Sequence, residues 1–347
     1  MRVSVIIVNW NGLGHLPECL DSLREQTFRD FETIVVDNGS SDGSVAYLEE
    51  RTEVRLVPLQ ENAGFAAGNN AALPVARGEY LVTLNNDTKA EPEWLEKLVA
   101  VADAHPEAGM VGCRIMNYYD RELVDSLGMA ICSDGMSRGD FRGRRFPGLA
   151  VEDEAEILFP SACVALYRRA MVDEIGFFDG DFFAYCEDTD LGLRGRLAGW
   201  QAVLARDAVV YHKYSMSTGA LSPLKLYLVE RNHYYAVVKN LPWPLILLLP
   251  LHTVQRYLAQ VRLVLGAKGT GGEFMASGSK KECVLALLRG MRDALLALPV
   301  LLRKRAAVMR HKKLSSHDLR RLLSRHRLSY RELLDADRSD GGSGRTS

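Results

Sequence analysis

The sequence predicts an α/β protein built on a doubly wound, mainly parallel sheet. Short apolar runs rich in β-branched residues alternate with segments whose leucines recur at helical spacing. The first run, residues 3–9, is almost continuously apolar, as expected for a strand that is covered on both faces. Polar residues directly follow several runs, at the positions where sheets of this class bind ligands.

The elements follow one another regularly over the first 115 residues. Strands are predicted at 3–9, 33–37, 54–58, 80–84 and 109–115, and helices around Leu16 to Leu23 and near 44–51, 65–76 and 91–104. This repeated β-α-β order implies right-handed crossovers between parallel strands. The carboxyl ends of the strands should therefore bring Asn9, Asp37 and residues 85–87 to one edge of the sheet.

The next hundred residues are less regular. Residues 117–155 are rich in Gly, Arg and Asp, which predicts a long loop or hairpin over the site. A strand-like run at 157–167, helices at 169–175 and 187–198, and strands at 202–204 and 208–211 are expected to follow.

The charge distribution divides the chain at residue 240. Residues 1–240 carry 23 Lys and Arg against 36 Asp and Glu, whereas residues 241–347 carry 20 against 8. The apolar stretch at 241–251 is far shorter than the ~20 residues that span a bilayer, which favours an interfacial segment. Residues 280–313 interleave leucines with basic residues, a pattern typical of helices that lie on anionic membranes. Aromatic residues are sparse there, so nucleic-acid binding is not expected.

These patterns predict three regions. They are a catalytic domain at 1–240, a basic amphipathic helical region that associates with a membrane at 241–334, and a disordered tail at 335–347. The six cysteines are scattered without a CxxC pair, which favours a reduced, cytoplasmic setting, and the N-terminus has no signal-peptide pattern. The composition does not indicate an oligomeric state.

Five segments carry a resemblance to a known family. They are VSVIIVNWNG at 3–12, IVVDNGSSDGS at 34–44, ENAGFAAGNN at 61–70, YLVTLNNDT at 80–88 and FFAYCEDTDLGLR at 182–194. In this order they resemble the family 2 glycosyltransferases of the GT-A fold, in the branch with bacterial rhamnosyltransferases that act on lipid-linked cell-surface polysaccharides. The resemblance covers about residues 1–215 and implies an inverting, metal-dependent transferase.

The resemblance places a metal site after the strand at 80–84. Asn85, Asn86 and Asp87 stand where the family carries Asp-x-Asp, so Asp87 alone would offer a charged ligand to Mg²⁺ or Mn²⁺. His212 matches a position from which related enzymes supply a further contact to the metal or the diphosphate. A lone histidine is also often a core or surface group, and imidazole would suit Mn²⁺ better than Mg²⁺.

The resemblance also implies that Asp188 is the catalytic base. A carboxylate within hydrogen-bond reach of an acceptor hydroxyl can remove its proton as the new bond forms. Asp190 is the competing candidate, but its spacing to Arg194 predicts an ion pair on the helix surface. Glu187 could bind an acceptor hydroxyl or favour the helix N-terminus.

The nucleotide-sugar pocket is expected at the ends of the first two strands. The resemblance implies contacts from Val8 and Asn9, and from Asp37 and Asn38, with Asn38 accepting the pyrimidine N3 proton. Further contacts would come from residues that also suit a glycine-assisted turn into a helix, namely Asn62, Gly64, Gly68 and Asn69. A dTDP- or UDP-linked sugar is therefore the expected donor.

The resulting prediction is an enzyme that moves one sugar, plausibly L-rhamnose, to a polyprenyl-linked or growing glycan at the inner face of the cell membrane. The alternative is a membrane-docked nucleotide-sugar or glycan binding module that has lost catalysis, which Asn85 favours. A dinucleotide-dependent oxidoreductase would need Gly-x-Gly-x-x-Gly after the first strand, and Asn9-Trp10-Asn11-Gly12 is not that motif. A processive polysaccharide synthase would need several membrane spans and a Gln-x-x-Arg-Trp motif, neither of which the sequence shows.

Overall fold

The computed structural model describes residues 1–213, 222–265 and 280–334. Its centre is a mixed nine-stranded sheet with the strand order β3-β2-β1-β4-β10-β6-β11-β5, in which β7 pairs with β6. The strands are β1 (Val3–Asn9), β2 (Phe31–Asn38), β3 (Val54–Leu59), β4 (Tyr80–Leu84), β5 (Thr88–Ala90), β6 (Ala108–Asn117), β7 (Val124–Ser126), β8 (Met129–Ile131), β9 (Ser137–Gly139), β10 (Val164–Arg168) and β11 (Gln201–His212). The predicted disordered tail at 335–347 lies outside the described residues.

Helices cover both faces of this sheet, which confirms the doubly wound class. Residues 1–213 contain α1 (Leu16–Arg24), α2 (Ser44–Glu49), α3 (Gly64–Ala72), α4 (Trp94–Ala104), α5 (Arg169–Ile175) and α6 (Glu187–Leu197). One apolar layer joins the strands to α1 and α4 through residues such as Leu16 and Trp94. The opposite layer joins them to α3, α5 and α6 through residues such as Met171 and Leu191.

The strands that carry the first predicted site residues are parallel. β1 lies between β2 and β4 and is parallel to both. Its last residue, Asn9, is in register with Asp37 of β2. Because these strands end at the same edge, the polar residues that follow them are neighbours.

Several predicted boundaries were wrong. The run at 157–167 forms a strand only over β10, which is antiparallel to both β4 and β6. The two strands expected at 202–204 and 208–211 are one strand, β11, with a register shift between Ala205 and Val209. The charged Arg206 and Asp207 interrupt the apolar pattern there without ending the strand, because the strand resumes its pairing with β6 beyond the shift.

The region at 117–155 contains short strands within its loops. β8 and β9 form an antiparallel hairpin, which was one of the two structures predicted for this region. β7 instead joins the main sheet antiparallel to β6. This pairing places Asp125 beside the end of β11, which the weak sequence pattern did not indicate.

Six further helices follow the sheet in the described residues. They are α7 (Pro223–Asn240), α8 (Trp243–Leu265), α9 (Lys280–Leu296), α10 (Leu298–Arg310), α11 (Ser316–Arg325) and α12 (Tyr330–Leu334). The apolar stretch predicted at 241–251 is thus the first half of a 23-residue helix with Pro250 inside it. Within 1–213, 222–265 and 280–334, no helix is both long and apolar enough to cross a membrane.

α7 connects the two halves of the molecule. α7 packs on α6 and also on α9 and α10. Arg305 of α10 donates hydrogen bonds to the carbonyl oxygens of Val238 and Leu241 at the end of α7. The predicted division at residue 240 therefore falls at the end of a helix that contacts both regions.

Candidate active site

The polar residues at the ends of β1, β2 and β4 form one hydrogen-bonded group. The Asn9 side-chain amide donates to Asp37 Oδ2 at 2.9 Å, and the Asn86 amide donates to Asn9 Oδ1 at 2.8 Å. Gly12 leaves room for this group, since a Cβ atom there would lie 2.1 Å from the Asn86 amide nitrogen. The expectation that these strand ends meet at one edge is confirmed.

Asp37 and Asn38 organise the loops after β2. Asp37 is fully buried, and its Oδ1 accepts the backbone N–H of Ser40 at 2.9 Å. The Asn38 amide donates to Asn62 Oδ1 and to the Gly64 carbonyl, while Asn38 Oδ1 accepts the Ala63 N–H at 2.9 Å. Asn38 therefore already uses its carbonyl oxygen once, which leaves one lone pair for the predicted base contact.

The two predicted glycines allow close approach of backbone and side chains. Gly64 has a φ of +85° at the start of α3, where a side chain would also meet Phe183. A Cβ atom at Gly68 would lie 2.8 Å from a methyl group of Val8. Asn69, one residue further along α3, is buried and its Oδ1 has no hydrogen-bond partner among the described residues.

Asp87 lies opposite His212. His212 Nε2 lies 3.3 Å from Asp87 Oδ1, and both residues are buried. Burial would raise the pKa of Asp87, but the hydrogen bond and charge of His212 hold it below its ordinary value. The backbone also fixes this pair, because the Lys213 N–H donates to the Asp87 carbonyl at 3.0 Å.

Asp125 is a site residue that the sequence reasoning missed. Its Oδ2 lies 2.6 Å from His212 Nδ1, and Arg142 lies 3.3 Å from its other oxygen. Burial opposes a charge on His212, yet the Cys163 sulfur and the hydrogen bonds to both carboxylates raise its pKa well above the ordinary value. Only the pairing of β7 with β6 brings Asp125 beside His212. In the sequence, Asp125 is simply one acidic residue in the region predicted to be a long loop or hairpin.

The Asp87 and His212 pair suits a divalent cation. A bound cation would displace the proton that His212 otherwise holds on Nε2. Nδ1 would still donate to Asp125, and the Nε2 lone pair would face the ion beside Asp87, as in carboxylate–histidine–metal sites. In the described part of the chain, no cluster of three or more His, Cys, Asp or Glu side chains is placed to hold a metal ion. Phosphate oxygens and water would therefore supply the remaining ligands, as Mg²⁺ sites commonly require.

Glu187 and Asp188 form the first turn of α6. Asp188 is half-buried, and its two oxygens accept the N–H groups of Thr189 at 2.7 Å and Ala162 at 3.4 Å. Burial and the charge of Asp188 raise the pKa of Glu187 to about 8, and burial raises the pKa of Asp188 as well. Glu187 Oε2 is buried with no hydrogen-bond partner in the described residues, which makes it available to a ligand hydroxyl.

Asp190 has a different environment from the one predicted. It pairs with Arg194 at 2.9 Å, but the pair is buried rather than on the helix surface. Lys239 and Asn240 at the end of α7 also contact Asp190, at 2.8 and 2.9 Å. The surface prediction was wrong because α7 covers this face of α6, and the paired Asp190 is a poor candidate for a base.

The loop before α6 is held by α7. Phe183, Tyr185 and Cys186 all have positive φ angles, which non-glycine residues rarely adopt. The amide of Asn232, fully buried on α7, donates to the carbonyl oxygens of Phe182, Ala184 and Tyr185, each at 2.8 Å. No sequence pattern indicated that a helix 50 positions away holds this loop.

The turn at 85–87 and the start of α6 at 187–188 both hydrogen-bond to residues 162–163. The Ala162 N–H donates to Asp188, and the Cys163 carbonyl accepts the Asn85 N–H at 2.9 Å. A second link is the hydrogen bond from the Ala66 N–H in α3 to the Phe183 carbonyl at 3.1 Å. The turn that carries Asp87 and the helix end that carries Asp188 therefore contact one segment at the same edge of the sheet.

Comparison with known sequences decides the family. The family model described as "Glycosyl transferase family 2" matches residues 4–176. The uncharacterized glycosyltransferase YwdF of Bacillus subtilis is 30% identical over 199 residues, which cover 56% of this chain and 68% of that protein. The chain belongs to glycosyl transferase family 2. The expected family is confirmed.

Two further family 2 relatives have named functions. An N-acetylglucosaminyl-diphospho-decaprenol L-rhamnosyltransferase of Mycobacterium tuberculosis is 29% identical over 62% of this chain and 77% of that protein. The O-antigen biosynthesis protein RfbC of Myxococcus xanthus is 31% identical over 70% of this chain. That match covers only 19% of the length of the Myxococcus protein.

Solved structures confirm the GT-A fold of this family 2 glycosyltransferase. Staphylococcus aureus TarS 1–349, in complex with UDP-GlcNAc, is 19% identical with a TM-score of 0.52, covering 92% of each chain. GalNAc-T7 with UDP, GalNAc and Mn²⁺ is 16% identical with a TM-score of 0.56, covering 69% of this chain and 48% of that one. At these identities the likeness concerns the fold.

Proposed function

We propose that this family 2 glycosyltransferase moves a sugar from a pyrimidine nucleotide diphosphate to a lipid-linked or growing glycan, with inversion at the anomeric carbon. The proposal rests on one observation: the turn that contains Asp87 and the start of α6 that contains Asp188 both hydrogen-bond to residues 162–163, through Asn85 and Asp188 respectively. A transferase of this kind needs a site for the diphosphate and a base for the acceptor on either side of one sugar. The two carboxylates are suitable groups for these tasks.

The donor would bind at the ends of β1, β2 and β4. In this proposal Asp37 and Asn38 hold the pyrimidine and ribose with main-chain groups near Val8 and Asn9. Asn62, Gly64, Gly68 and Asn69 line the sugar-nucleotide loop, and Asn69 Oδ1 offers an acceptor that no described group uses. The TarS structures in complex with UDP and with UDP-GlcNAc support a pyrimidine donor.

The diphosphate would lie beside Asp87 and His212. These two residues would hold Mg²⁺ or Mn²⁺, with Asn85 and Asn86 as neutral neighbours on the same turn. A bound divalent cation would neutralise the charge that develops on the leaving diphosphate. Asp125 would keep the proton of His212 on Nδ1, so that Nε2 faces the ion.

Asp188 would act as the general base. Its carboxylate removes the proton of the acceptor hydroxyl while that oxygen forms a bond to the anomeric carbon and the bond to the diphosphate oxygen breaks. The nucleoside diphosphate leaves with the electron pair of the broken bond, and attack from the opposite face inverts the centre. Glu187, whose pKa is raised to about 8, would be protonated near neutral pH and could donate a hydrogen bond to the acceptor.

The sugar and acceptor are proposed from the relatives. The mycobacterial relative is named as an L-rhamnosyltransferase acting on a decaprenol-linked glycan, and the Myxococcus relative as an O-antigen biosynthesis protein. We therefore propose L-rhamnose as the sugar and a polyprenyl-linked glycan as the acceptor. The enzyme would act from the cytoplasmic side, peripherally associated with the inner face of the cell membrane.

A panel of nucleotide sugars tests this function. The purified protein would be incubated with dTDP-rhamnose, UDP-sugars and GDP-sugars, with Mn²⁺ or with EDTA, and nucleoside diphosphate release would be measured with and without a polyprenyl-diphosphate acceptor. We expect release from one pyrimidine donor that depends on Mn²⁺ and increases with acceptor. Donor binding without release from any of them would contradict the proposal and favour the binding module, which Asn85 suggests.

A further inference from the structure

α8 exposes a continuous apolar stripe. Its residues recur at alternating spacings of four and three and are each more than half exposed: Leu247, Leu251, Val254, Leu258 and Val261. Residues at this spacing lie on one face of an α-helix. The opposite face is buried through Leu249, Thr253 and Arg256, so α8 is anchored to the protein while its leucines face outwards.

α9 adds a second apolar face that also contains basic residues. Its exposed apolar residues are Val284, Leu285, Leu288, Leu295 and Leu296. Arg289 and Arg292 are exposed on the same helix between these leucines. The Tyr257 hydroxyl of α8 lies 3.6 Å from the sulfur of Met291 on α9, so the two helices are neighbours.

The surrounding charge is strongly positive. In the described residues of 241–334, 17 Lys and Arg stand against 4 Asp and Glu. A second copy of the chain would place the same positive charge against itself, which disfavours self-association through this surface. Exposed leucines beside arginines instead suit a bilayer whose headgroups are anionic and whose acyl chains accept apolar side chains.

We propose that this surface binds an anionic lipid bilayer. We call it the docking face and define it by the ten apolar residues given above for α8 and α9 together with Arg289 and Arg292. The leucines and valines insert at the boundary between headgroups and acyl chains, and the arginines contact lipid phosphates. Each basic residue near such a surface contributes about 1 kcal/mol.

The docking face is linked to the acceptor side of the active site. α7 contacts α9 through Tyr227, whose hydroxyl donates to Asp293, and contacts the loop before α6 through Asn232. One helix, about 10 Å across, therefore separates the docked helices from residues 182–186. Docking through this face would keep the loop at 182–186 near a lipid-linked glycan. This consequence rests on the proposed function.

Vesicle flotation without any donor tests the docking face. The full chain would be mixed with vesicles of phosphatidylcholine alone or of phosphatidylcholine with phosphatidylglycerol. We expect binding to the anionic vesicles that weakens with salt. L251Q/V254Q/L258Q and R289E/R292E should each reduce the partition coefficient at least about tenfold.

A matched variant shows whether vesicle binding depends on the residues of the docking face or only on the total charge of the protein. R320E/R321E makes the same charge change on exposed positions of α11, which packs towards Glu156 of the catalytic half, and should bind vesicles almost as the unmodified chain does. Equal loss of binding in R320E/R321E would contradict a defined face, as would the absence of binding to anionic vesicles. A dimer in light scattering that L251Q/V254Q/L258Q abolishes would overturn the proposal in favour of self-association.

The same variants distinguish this proposal from the proposed function. Circular dichroism should show that all variants are folded, because every altered side chain is exposed. Donor turnover in the absence of vesicles should be unchanged in all of them, since none contacts the site. Vesicle binding without any donor turnover would support the docking face and contradict the transferase proposal, whereas turnover with no vesicle binding would do the reverse.

Discussion

The proposed donor side and the proposed acceptor side of the candidate site are built in different ways. On the donor side, Asn9, Asp37 and Asn86 lie at or just beyond the ends of adjacent strands. Asn9 hydrogen-bonds to both of the others. On the acceptor side, Asp188 follows a loop with three non-glycine residues at positive φ. The sheet itself positions the first group, whereas the second depends on a helix from outside the sheet.

The difference has an energetic reason. Each non-glycine residue in the left-handed region costs roughly 1–3 kcal/mol, so a loop with three of them requires stabilising contacts. Asn232 supplies three hydrogen bonds to carbonyl groups of this loop from a fully buried position. We conclude that the acceptor side is the more easily disturbed of the two, and the predictions below test this comparison.

The largest effect is expected from Asp188→Asn. Because the amide cannot take the acceptor proton, kcat for transfer should fall by about 10²- to 10⁴-fold. Donor affinity, measured by calorimetry with UDP or dTDP, should be unchanged because Asp188 lies on the acceptor side. Asp207→Asn, at an exposed carboxylate of β11, is the control and should keep full activity. An Asp188→Asn enzyme with normal kcat would remove Asp188 as the base.

The second-largest effect is expected from Asp125→Asn on the donor side, and it concerns the affinity for Mn²⁺. The amide can donate to His212 Nδ1 and so favour a proton on Nε2, which would block the ion. Mn²⁺ affinity, measured by electron paramagnetic resonance in the presence of nucleoside diphosphate, should fall about 10- to 100-fold. Asp120→Asn, which alters an exposed partner of Arg145 in the same region, should leave Mn²⁺ affinity unchanged. Equal affinities in both variants would show that Asp125 has only a structural role.

A smaller effect is expected from Asn232→Ala. Loss of the buried amide removes its hydrogen bonds to three carbonyl groups of the loop, which should lower the free energy of unfolding by about 1–3 kcal/mol. Because the loop before α6 then loses its order, kcat should fall roughly tenfold while donor affinity stays constant. The measurements are chemical denaturation and steady-state kinetics.

Gln26→Ala is the matched control for Asn232→Ala. Gln26 is also a fully buried amide, and it donates to the carbonyls of Ser22 and Glu91 away from the site. Gln26→Ala should reduce stability similarly but leave kcat at its normal value. A similar loss of kcat in both variants would mean that general destabilisation, rather than the loop, explains the Asn232 result.

The smallest effect is expected from Glu187→Gln and concerns pH. Burial and the charge of Asp188 raise the pKa of Glu187 from 4.5 to about 8 in the folded protein. The folded state therefore holds this proton more tightly than the unfolded state, so the stabilising contribution is complete below about pH 4.5 and is lost as the pH rises through about 8. The melting temperature of the unmodified chain should fall over this window more steeply than that of Glu187→Gln. Parallel curves would contradict the raised pKa.

The same variant sharpens the assignment of the base. Glu187 holds its proton to about pH 8, so it is still neutral when Asp188 loses its own proton, and the neutral Gln should leave the titration of Asp188 unchanged. The acidic limb of the kcat/KM profile should therefore keep its position. A limb that moves in Glu187→Gln would indicate that Glu187, rather than Asp188, governs it.

The sequence predicted the donor side well because its residues are tied to local patterns. The β-branched run at 3–9 and the polar residues after it indicated a buried parallel strand and a ligand-binding edge, and the register of Asn9 with Asp37 confirms this. Prediction failed where tertiary contacts override local pattern. The Asp190–Arg194 pair has the spacing of a surface ion pair, but α7 buries it.

The amino-acid sequence alone predicts the family, the order of the elements and the clustering of polar residues at the strand ends, since these follow from hydrophobic periodicity and from motifs within single segments. Only the tertiary structure placed Asp125 beside His212 and Asn232 beside the loop before α6. These pairs are 87 and 50 positions apart along the chain. Strand pairing and helix packing bring them together, and neither is encoded in the residues adjacent to them.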